Sequence, residues 1–326
     1  MSMLDLQLRM YMVLALVFAI GFGIMYAVLS YFGAGTIVIL AFAIGIFALQ
    51  WYISPELMKM MAHLRYISDS DYPKLHSMVT DLANGAHVAV PKIAIAPTSV
   101  PNAFVFGRTV KSATLVVHEG ILNMLDDNEL KAVLAHEIGH LKHNDVWVIT
   151  FISFIPMVGW ILAQNLFFGG MFGGNRNNGA ALIALGVAGF FIYFLSQMLI
   201  MAFSRMRETF ADEYSAVTTR KPEHLASSLL KITGANAVAT PQQSAKSQTV
   251  AKSFYLVDGS TSKGDMEKIE EHKDDIKRLL PSIDINELVS MAKSETKGMG
   301  GITSMFATHP ATYKRILFLA QVKKTL

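Results

Sequence analysis

The sequence contains no cysteine and few charged residues among its 326 positions. The absence of cysteine excludes disulfide bonds, thiolate nucleophiles and cysteine-based zinc sites. Charged residues make up 16% of the chain and hydrophobic residues 52%, which is far from the balance of a typical soluble protein. The net charge of +3 comes without a long charge run or a basic patch interleaved with aromatic residues, so no nucleic-acid partner is predicted.

Charge is completely absent from a long stretch near the start of the chain, residues 10–55. The stretch breaks at Gly33–Thr36 into two apolar segments, Met10–Phe32 and Ile37–Ile53, each near the ~20 residues that cross a bilayer. It is too long for the apolar core of a signal peptide, and it lacks a convincing cleavage site. We therefore predict a transmembrane hairpin of two helices in residues 1–55.

A second uncharged stretch follows at residues 146–175. Val146–Phe168, the glycine-rich turn Gly169–Gly179 and Ala180–Phe203 predict another hairpin of two membrane spans, in residues 146–203. The alternative is a helical hairpin buried in a soluble core.

Positive charges near the span ends predict the orientation of the protein. Six basic residues flank the spans on one side: Arg9, Lys59, Arg65, Lys142, Arg205 and Arg207. The two hairpin turns offer only Arg176. The positive-inside rule then predicts a multi-pass protein of the cell (cytoplasmic) membrane, with the polar parts of the chain in the cytoplasm.

The polar parts, residues 56–145 and 204–326, have the pattern of one α+β domain in two pieces. Strands are predicted at Lys92–Ala96, at an edge of the sheet, and at Asn102–Gly107 and Thr114–Val117. A helix is predicted at Asp71–Asn84, with Gly85 as its stop. The second piece contains a charged insertion, Gly264–Gly301, and a last helix, Ala311–Val322.

The residues best suited to chemistry lie in the run ELKAVLAHEIGHLKHND, Glu129–Asp145. Asp126 and Glu129 form a capping-box pattern that predicts the start of a helix. His136 and His140 then share one helix face, so both imidazoles can bind one metal ion. Glu137 can lie beside a water molecule on that metal and accept its proton. The alternative is an ordinary amphipathic helix with surface histidines.

A catalytic zinc site needs a third protein ligand. The metzincin pattern would place a histidine at the position of Val146 and a glycine at that of His143, so this pattern fails. Another type of site takes a glutamate from a second helix, with an aspartate one turn later. Glu208 and Asp212 have that spacing, and Asp212 can accept the free N–H of His136. The alternative is a pair of solvated carboxylates on a surface helix.

Four motifs, NAFVFG, HEIGHLKHND, SRMRETFAD and THPATYKRI, occur in one order with apolar segments between them. In these motifs the chain resembles the HtpX-type integral membrane zinc metalloproteases, relatives of the CAAX prenyl protease. The resemblance implies a mainly α membrane protein with four transmembrane helices and a cytoplasmic α+β zincin domain of the gluzincin type. It also implies an endopeptidase that degrades misfolded or damaged membrane proteins, with one Zn²⁺ per chain.

The resemblance also implies roles for single residues. His136, His140 and Glu208 would be the zinc ligands, Glu137 the catalytic carboxylate, and Asn102 a residue that hydrogen-bonds substrate backbone. His309 and Arg315 would hold the oxyanion or anchor nearby structure; their alternatives are a helix-start turn and a structural ion pair. His143 is predicted to contact the metal ligands without binding the metal itself, or to have a structural role.

Two other classes of function remain as alternatives. A membrane scaffold or binding protein could hold a structural zinc ion without proteolysis. A transporter is disfavoured because the predicted spans contain no carboxylate, lysine or arginine for an ion path. The natural substrate and the oligomeric state are not predicted by the sequence.

Overall fold

The structure of the protein is a computed structural model. It describes residues 36–145, 179–238, 256–257, 261–283 and 309–326, together with Met12, Leu16 and separate residues between 148 and 172. Apart from Met12 and Leu16, the predicted first span lies outside these residues, as do most of the predicted third span and much of the charged insertion. Most of the described residues are helical, as the sequence predicted.

Contacts along the chain divide it into two units. One comprises Met1–Ser54 and Trp147–Met206, and the other Pro55–Val146 and Arg207–Leu326. The second unit contains a four-stranded sheet and every candidate site residue, and we call it the sheet unit.

The sheet consists of β1 (Arg65–Tyr66), β2 (Lys92–Ala96), β3 (Ala103–Phe106) and β4 (Thr114–His118), in the order β1-β2-β4-β3. β2 is parallel to β4, while β1 and β3 are antiparallel to their neighbours. The prediction of β2 as an edge strand is wrong because the two-residue β1 pairs with it, and so short a strand leaves little periodicity to recognise. β3 is an end strand of the sheet.

Nine described helices accompany the sheet: α1 (Thr36–Met61), α2 (Pro73–Ala86), α3 (Glu119–Met124), α4 (Asp127–Lys142), α5 (Gly179–Thr219), α6 (Pro222–Val238), α7 (Ser262–Glu271), α8 (Lys273–Leu279) and α9 (Thr312–Lys323). The prediction that Gly85 stops α2 is wrong. The helix ends at Ala86, because His87 adopts a left-handed conformation (φ 56°) and its N–H bonds a carbonyl of the last turn.

Both faces of the sheet are covered within the sheet unit. On one face, Ile93, Ile95, Leu115 and Val117 join the main hydrophobic core together with side chains of α2, α4, α6 and α9. On the other face, a smaller cluster that contains Phe104 packs against the end of α1 and the residues after it. Coverage on both faces explains why the strands are almost continuously apolar.

Helix α5 begins in the first unit and carries Glu208 into the sheet unit. Among the described residues it is the helix long and apolar enough to cross a membrane, and only 17% of its most apolar window is buried within the protein. Such exposure does not fit the alternative of a helix buried in a soluble core. The predicted second span falls within α1.

Candidate metal centre

The histidine helix α4 begins at the predicted capping box. Asp126 accepts hydrogen bonds from the backbone N–H groups of Asn128 and Glu129, and the Glu129 carboxylate accepts from the Asp126 N–H at 3.0 Å. The Glu129 carboxylate also lies 2.7 Å from the Lys231 ammonium, so α4 is tied to α6 at its first turn. The predicted helix start is confirmed.

Gly139 lets α4 and α5 approach each other closely. A Cβ atom at this position would lie 3.2 Å from the Ala211 Cα and 3.2 Å from the Tyr214 ring, tighter than nine in ten real Cβ contacts. The Ser215 hydroxyl donates to the Ala132 carbonyl at 2.7 Å across the same contact. Because Ala211 lies between Glu208 and Asp212 in sequence, the close approach brings both carboxylates to the histidines.

His136, Glu137 and His140 form a buried cluster. Their exposed fractions are 0%, 3% and 7%, and their potential ligand atoms lie within 4.8 Å of one another. The two imidazole rings meet edge to face, with centroids 4.8 Å apart. These side chains do not fit the alternative of an amphipathic helix with surface histidines.

Glu208 faces both imidazoles at once. Its Oε2 lies 3.5 Å from Nε2 of His136, and its Oε1 lies 3.5 Å from Nε2 of His140. Its side chain is only 4% exposed, which does not fit a solvated surface carboxylate. The structure thus brings together residues that are far apart in the sequence and lie on different helices.

The donor atoms of these residues fit a metal ion. Among the described residues, Nε2 of His136 and Oε2 of Glu208 are buried without a hydrogen-bond partner, a costly arrangement unless something binds them. Two imidazole nitrogens and a carboxylate are a common ligand set for catalytic zinc. Donors ~2.1 Å from a tetrahedral ion would be ~3.4 Å apart, close to the observed separations.

An aspartate contacts Nδ1 of His136, the ring nitrogen that faces away from Glu208. Asp212 Oδ1 is 3.0 Å from His136 Nδ1, and the Arg315 guanidinium donates to both Asp212 oxygens, at 2.8 and 2.6 Å. Burial by itself lowers the pKa of His136, but the Asp212 and Glu208 carboxylates beside the ring outweigh it and raise the pKa to about 9. Asp212 and His136, which the sequence predicts to be neighbours, are in contact.

A second aspartate, which the sequence did not predict, contacts Nδ1 of His140. Asp145 Oδ2 is 2.8 Å from His140 Nδ1, and the Arg207 Nε is 3.0 Å from the same oxygen. Burial opposes ionisation of Asp145, but Arg207 and His140 hold the pKa of its carboxyl below the ordinary value. No helical spacing links Asp145 to His140, because α4 ends between them.

Glu137 is a buried carboxyl beside the proposed ligands. Burial raises the pKa of Glu137 to about 8, and Glu208 adds to the shift while His136 and Arg315 act against it. A cation bound at the cluster would lower this pKa. A carboxyl group that titrates near neutral pH can both accept and return a proton.

His309 and Arg315 both lie beside Glu208. The His309 Nδ1 and the Arg315 Nη1 are 3.3 and 3.5 Å from Glu208 Oε2. Arg315 also donates to the Leu256 carbonyl at 2.6 Å, in addition to its paired bonds with Asp212. For Arg315 these contacts fit the anchoring alternative better than a direct contact with substrate.

The two remaining predicted residues occupy different places. Asn102 is buried at the start of β3, and its side-chain oxygen accepts the Leu256 N–H at 2.8 Å. Its contact with substrate stays a prediction. His143 closes the end of α4, with its ring 5.6 Å from that of Phe210 on α5, which fits the structural alternative.

Comparison with known proteins identifies the family. Residues 69–323 match the peptidase family M48. The chain belongs to this family. Protease HtpX homolog of Methanothermobacter thermautotrophicus is 37% identical to it over 233 residues, which cover 71% of this chain and 87% of that protein. Protease HtpX homolog 2 of Methanosarcina acetivorans is 35% identical over 254 residues, which cover 78% and 86%.

Family membership decides between the classes of function left open by the sequence. This M48 protein is a metallopeptidase of the membrane, and its substrates are peptides. The scaffold alternative is therefore not supported. A solved chain, S. mikatae Ste24p, is also similar, with a TM-score of 0.48 and 16% identity over 94% of this chain and 63% of that chain. A likeness of this size supports no conclusion about function.

Proposed function

We propose that this M48 peptidase is a zinc-dependent endopeptidase with one Zn²⁺ per chain, held by His136, His140 and Glu208. The observation that carries the proposal is the pair of 3.5 Å separations between the Glu208 oxygens and the two imidazole Nε2 atoms. Their match to the spacing of ligands around a tetrahedral ion, in a buried site, supports zinc over a simple ion pair.

Glu137 is the proposed proton carrier of the reaction. Bound zinc would polarise the scissile carbonyl and lower the pKa of the attacking water. Glu137 takes the proton of that water and passes it to the leaving amine. Its burial next to His136 and Glu208 keeps bulk water from competing for the proton.

His309 and Arg315 have different proposed tasks. Arg315 keeps Asp212 and Leu256 in place, because three of its N–H donors are already used by them. His309 is buried beside Glu208 Oε2, at 3.3 Å. We assign it to stabilising negative charge on the substrate oxygen, as a donor near the ligands can do.

The proposed substrates are misfolded or damaged membrane proteins. β3 is an end strand of the sheet, and an extended peptide can add to such an edge through backbone hydrogen bonds. Backbone recognition depends little on side-chain identity, so it favours unfolded segments over folded ones. In this arrangement Asn102, at the start of β3, lies at the end of the peptide-binding edge.

The proposed location is the cell membrane, with four spans and the sheet unit in the cytoplasm. Helix α5 supports one span by its length and exposed apolar surface. The basic residues near the span ends support the orientation. In this arrangement Glu208 follows the fourth span by about one turn of helix, and His140 precedes the third span by a similar distance along the chain.

Glu137→Gln tests the proposal. The amide has nearly the shape of the carboxyl but cannot accept the proton of water, so we expect stoichiometric zinc and loss of casein cleavage by more than ~100-fold. The matched control is Glu271→Gln, the same chemical change at an exposed residue that pairs with Lys268. The control should cleave casein normally, and a chelator should abolish that cleavage. Normal proteolysis by Glu137→Gln would contradict the mechanism.

A further inference from the structure

The chain makes a sharp turn immediately after the histidine helix. α4 ends at Lys142, His143 follows as its cap, and Asn144 adopts a left-handed conformation with φ 60°. Asparagine tolerates this conformation better than most residues. The Asn144 N–H bonds the Leu141 carbonyl at 3.1 Å, which fixes the turn. The turn carries Asp145 back towards His140.

Asp145 and Arg207 form a buried group with His140. Asp145 Oδ2 is 2.8 Å from His140 Nδ1, and Arg207 Nε is 3.0 Å from that oxygen. The side chains of all three residues are less than 10% exposed. A buried charged pair is costly to maintain, so its position beside a proposed ligand calls for an explanation.

The distances identify which nitrogen of His140 carries the proton. An ionised Asp145 can only accept a hydrogen bond, so the 2.8 Å contact requires Nδ1–H as donor. Arg207 Nη2 also approaches Nδ1, but at 3.5 Å it is at the limit of a hydrogen bond. The shorter contact decides the tautomer, and the lone pair of His140 is left on Nε2, the atom that faces Glu208.

The same relation occurs at the other histidine. Nδ1 of His136 faces Asp212, Asp212 is paired with Arg315, and Nε2 of His136 faces Glu208. In each imidazole, Nδ1 therefore faces an aspartate that is paired with an arginine, and Nε2 faces Glu208. Carboxylates in this position fix the tautomer and direction of ligand histidines.

We propose that Asp145 and Arg207 are positioning residues for His140 in metal binding. Asp145 holds the ring with Nε2 directed to the metal, and Arg207 holds Asp145 in place and balances its charge. This inference rests on the proposed zinc site and adds two residues to it. A merely structural ion pair would support folding without any effect on metal affinity.

The experiment measures zinc affinity of the full-length protein in detergent, after removal of metal, by competition with a chromogenic chelator. Asp145→Asn keeps the shape of the side chain and removes its charge. We expect zinc binding ~10- to 100-fold weaker, the range seen for partners of ligand histidines. We also expect a changed visible absorption spectrum of the Co²⁺-loaded variant, because the ligand ring is no longer held in one direction.

Arg207→Gln is the second variant, and it leaves Asp145 and His140 in place. It should weaken zinc binding by less than Asp145→Asn, and the double variant should lose less than the product of the two single effects, because the pair acts as one unit. Asp127→Asn is the matched control on α4, since Asp127 is exposed at the first turn and forms a surface ion pair with Lys74. Its affinity and Co²⁺ spectrum should equal those of the wild type.

Asp212→Asn separates the inference from the proposed function. If the wild type bound no zinc, or His140→Ala bound it normally, the proposed zinc site itself would be wrong. If Asp212→Asn lost affinity while Asp145→Asn and Arg207→Gln kept wild-type affinity and Co²⁺ spectrum, only the present inference would be overturned. If Asp145→Asn did not fold, unchanged affinity in Arg207→Gln would overturn it equally.

Discussion

His136 and His140 lie one helical turn apart and are supported in the same way but from different parts of the chain. The support of His136 comes from α5 and α9, through Asp212 and Arg315. The support of His140 comes from the end of its own helix and from α5, through Asp145 and Arg207. Equivalent chemistry has thus been assembled from a distant and a local part of the sequence.

The two supports differ in strength. Arg315 makes two short hydrogen bonds to Asp212 and one to the Leu256 carbonyl, and the pKa of its guanidinium is raised because the neighbouring carboxylates outweigh its burial. Arg207 reaches Asp145 chiefly through one contact at 3.0 Å. We therefore expect the pair Asp212 and Arg315 to contribute more to the stability of the fold than the pair Asp145 and Arg207.

Removal of either imidazole has the largest expected effect. His136→Ala and His140→Ala each delete a proposed ligand, so each should weaken zinc binding by more than the ~100-fold upper range for supporting residues. Zinc content after dialysis and chelator competition measure this loss. Near-normal zinc binding by either variant would contradict the proposed zinc site.

The arginines should differ in their effect on folding. Arg315→Met leaves Asp212 buried without its paired cation, a change that costs about 3–5 kcal/mol of unfolding free energy. Arg207→Met should cost less, about 1–3 kcal/mol, because Arg207 reaches Asp145 chiefly through one contact, whereas Arg315 makes three hydrogen bonds. Denaturant unfolding of both metal-free variants gives the comparison. A larger loss for Arg207→Met would reverse our ranking of the two sides.

Gly139→Ala should affect both sides together. The added methyl group would meet the Ala211 backbone at 3.2 Å and push α4 and α5 apart. We expect a loss of about 1–3 kcal/mol in unfolding free energy, together with weaker zinc binding, because Glu208 retreats from both imidazoles. Gly85→Ala is the control, since a Cβ there meets nothing within 4 Å. A stable, zinc-binding Gly139→Ala variant would contradict the close approach.

The smallest expected difference between the His136 and His140 sides is the number of protons released when zinc binds. In the metal-free protein the pKa of His136 is raised to about 9, whereas burial lowers the pKa of His140 despite Asp145. At pH 7 His136 is therefore protonated and His140 neutral, so of the two imidazoles only His136 must lose a proton to bind zinc. The zinc affinity should rise with pH up to about 9.

Calorimetry in buffers of different ionisation enthalpy counts these protons. We expect at least one per zinc at pH 7, since Glu137, with a pKa of about 8, can also release a proton near the cation. Asp212→Asn should lower the count by about one and Asp145→Asn should not. Equal counts in the two variants would contradict the assigned difference in charge.

The sequence predicted those parts of the site that follow regular spacing. His136, Glu137 and His140 follow helical periodicity, and the turn between Glu208 and Asp212 does so too. Asp145 was missed because its contact depends on the left-handed Asn144, which no periodic pattern signals. Arg207 was interpreted only as a charge near a membrane span.

In the fold, too, the sequence predicted the elements that have a local pattern and not those that depend on other contacts. The residues of β2 were predicted from their alternation between Pro91 and Pro97, and those of β4 from their apolar character. β1 was not predicted, because its two residues acquire strand character only by pairing with β2. The end of α2 was misplaced because Gly85 fits a helix without difficulty when His87 supplies the left-handed turn. In each case a tertiary or backbone contact decided what local composition could not.

X-ray absorption at the zinc edge of the purified protein tests the central claim most directly. The proposed site predicts one zinc per chain, with nitrogen and oxygen ligands at about 2.0–2.2 Å and the multiple-scattering signature of two imidazoles. His140→Ala, measured with excess zinc, should then show one imidazole. A wild-type spectrum without two imidazoles, or a protein that cleaves peptides without zinc, would contradict the account.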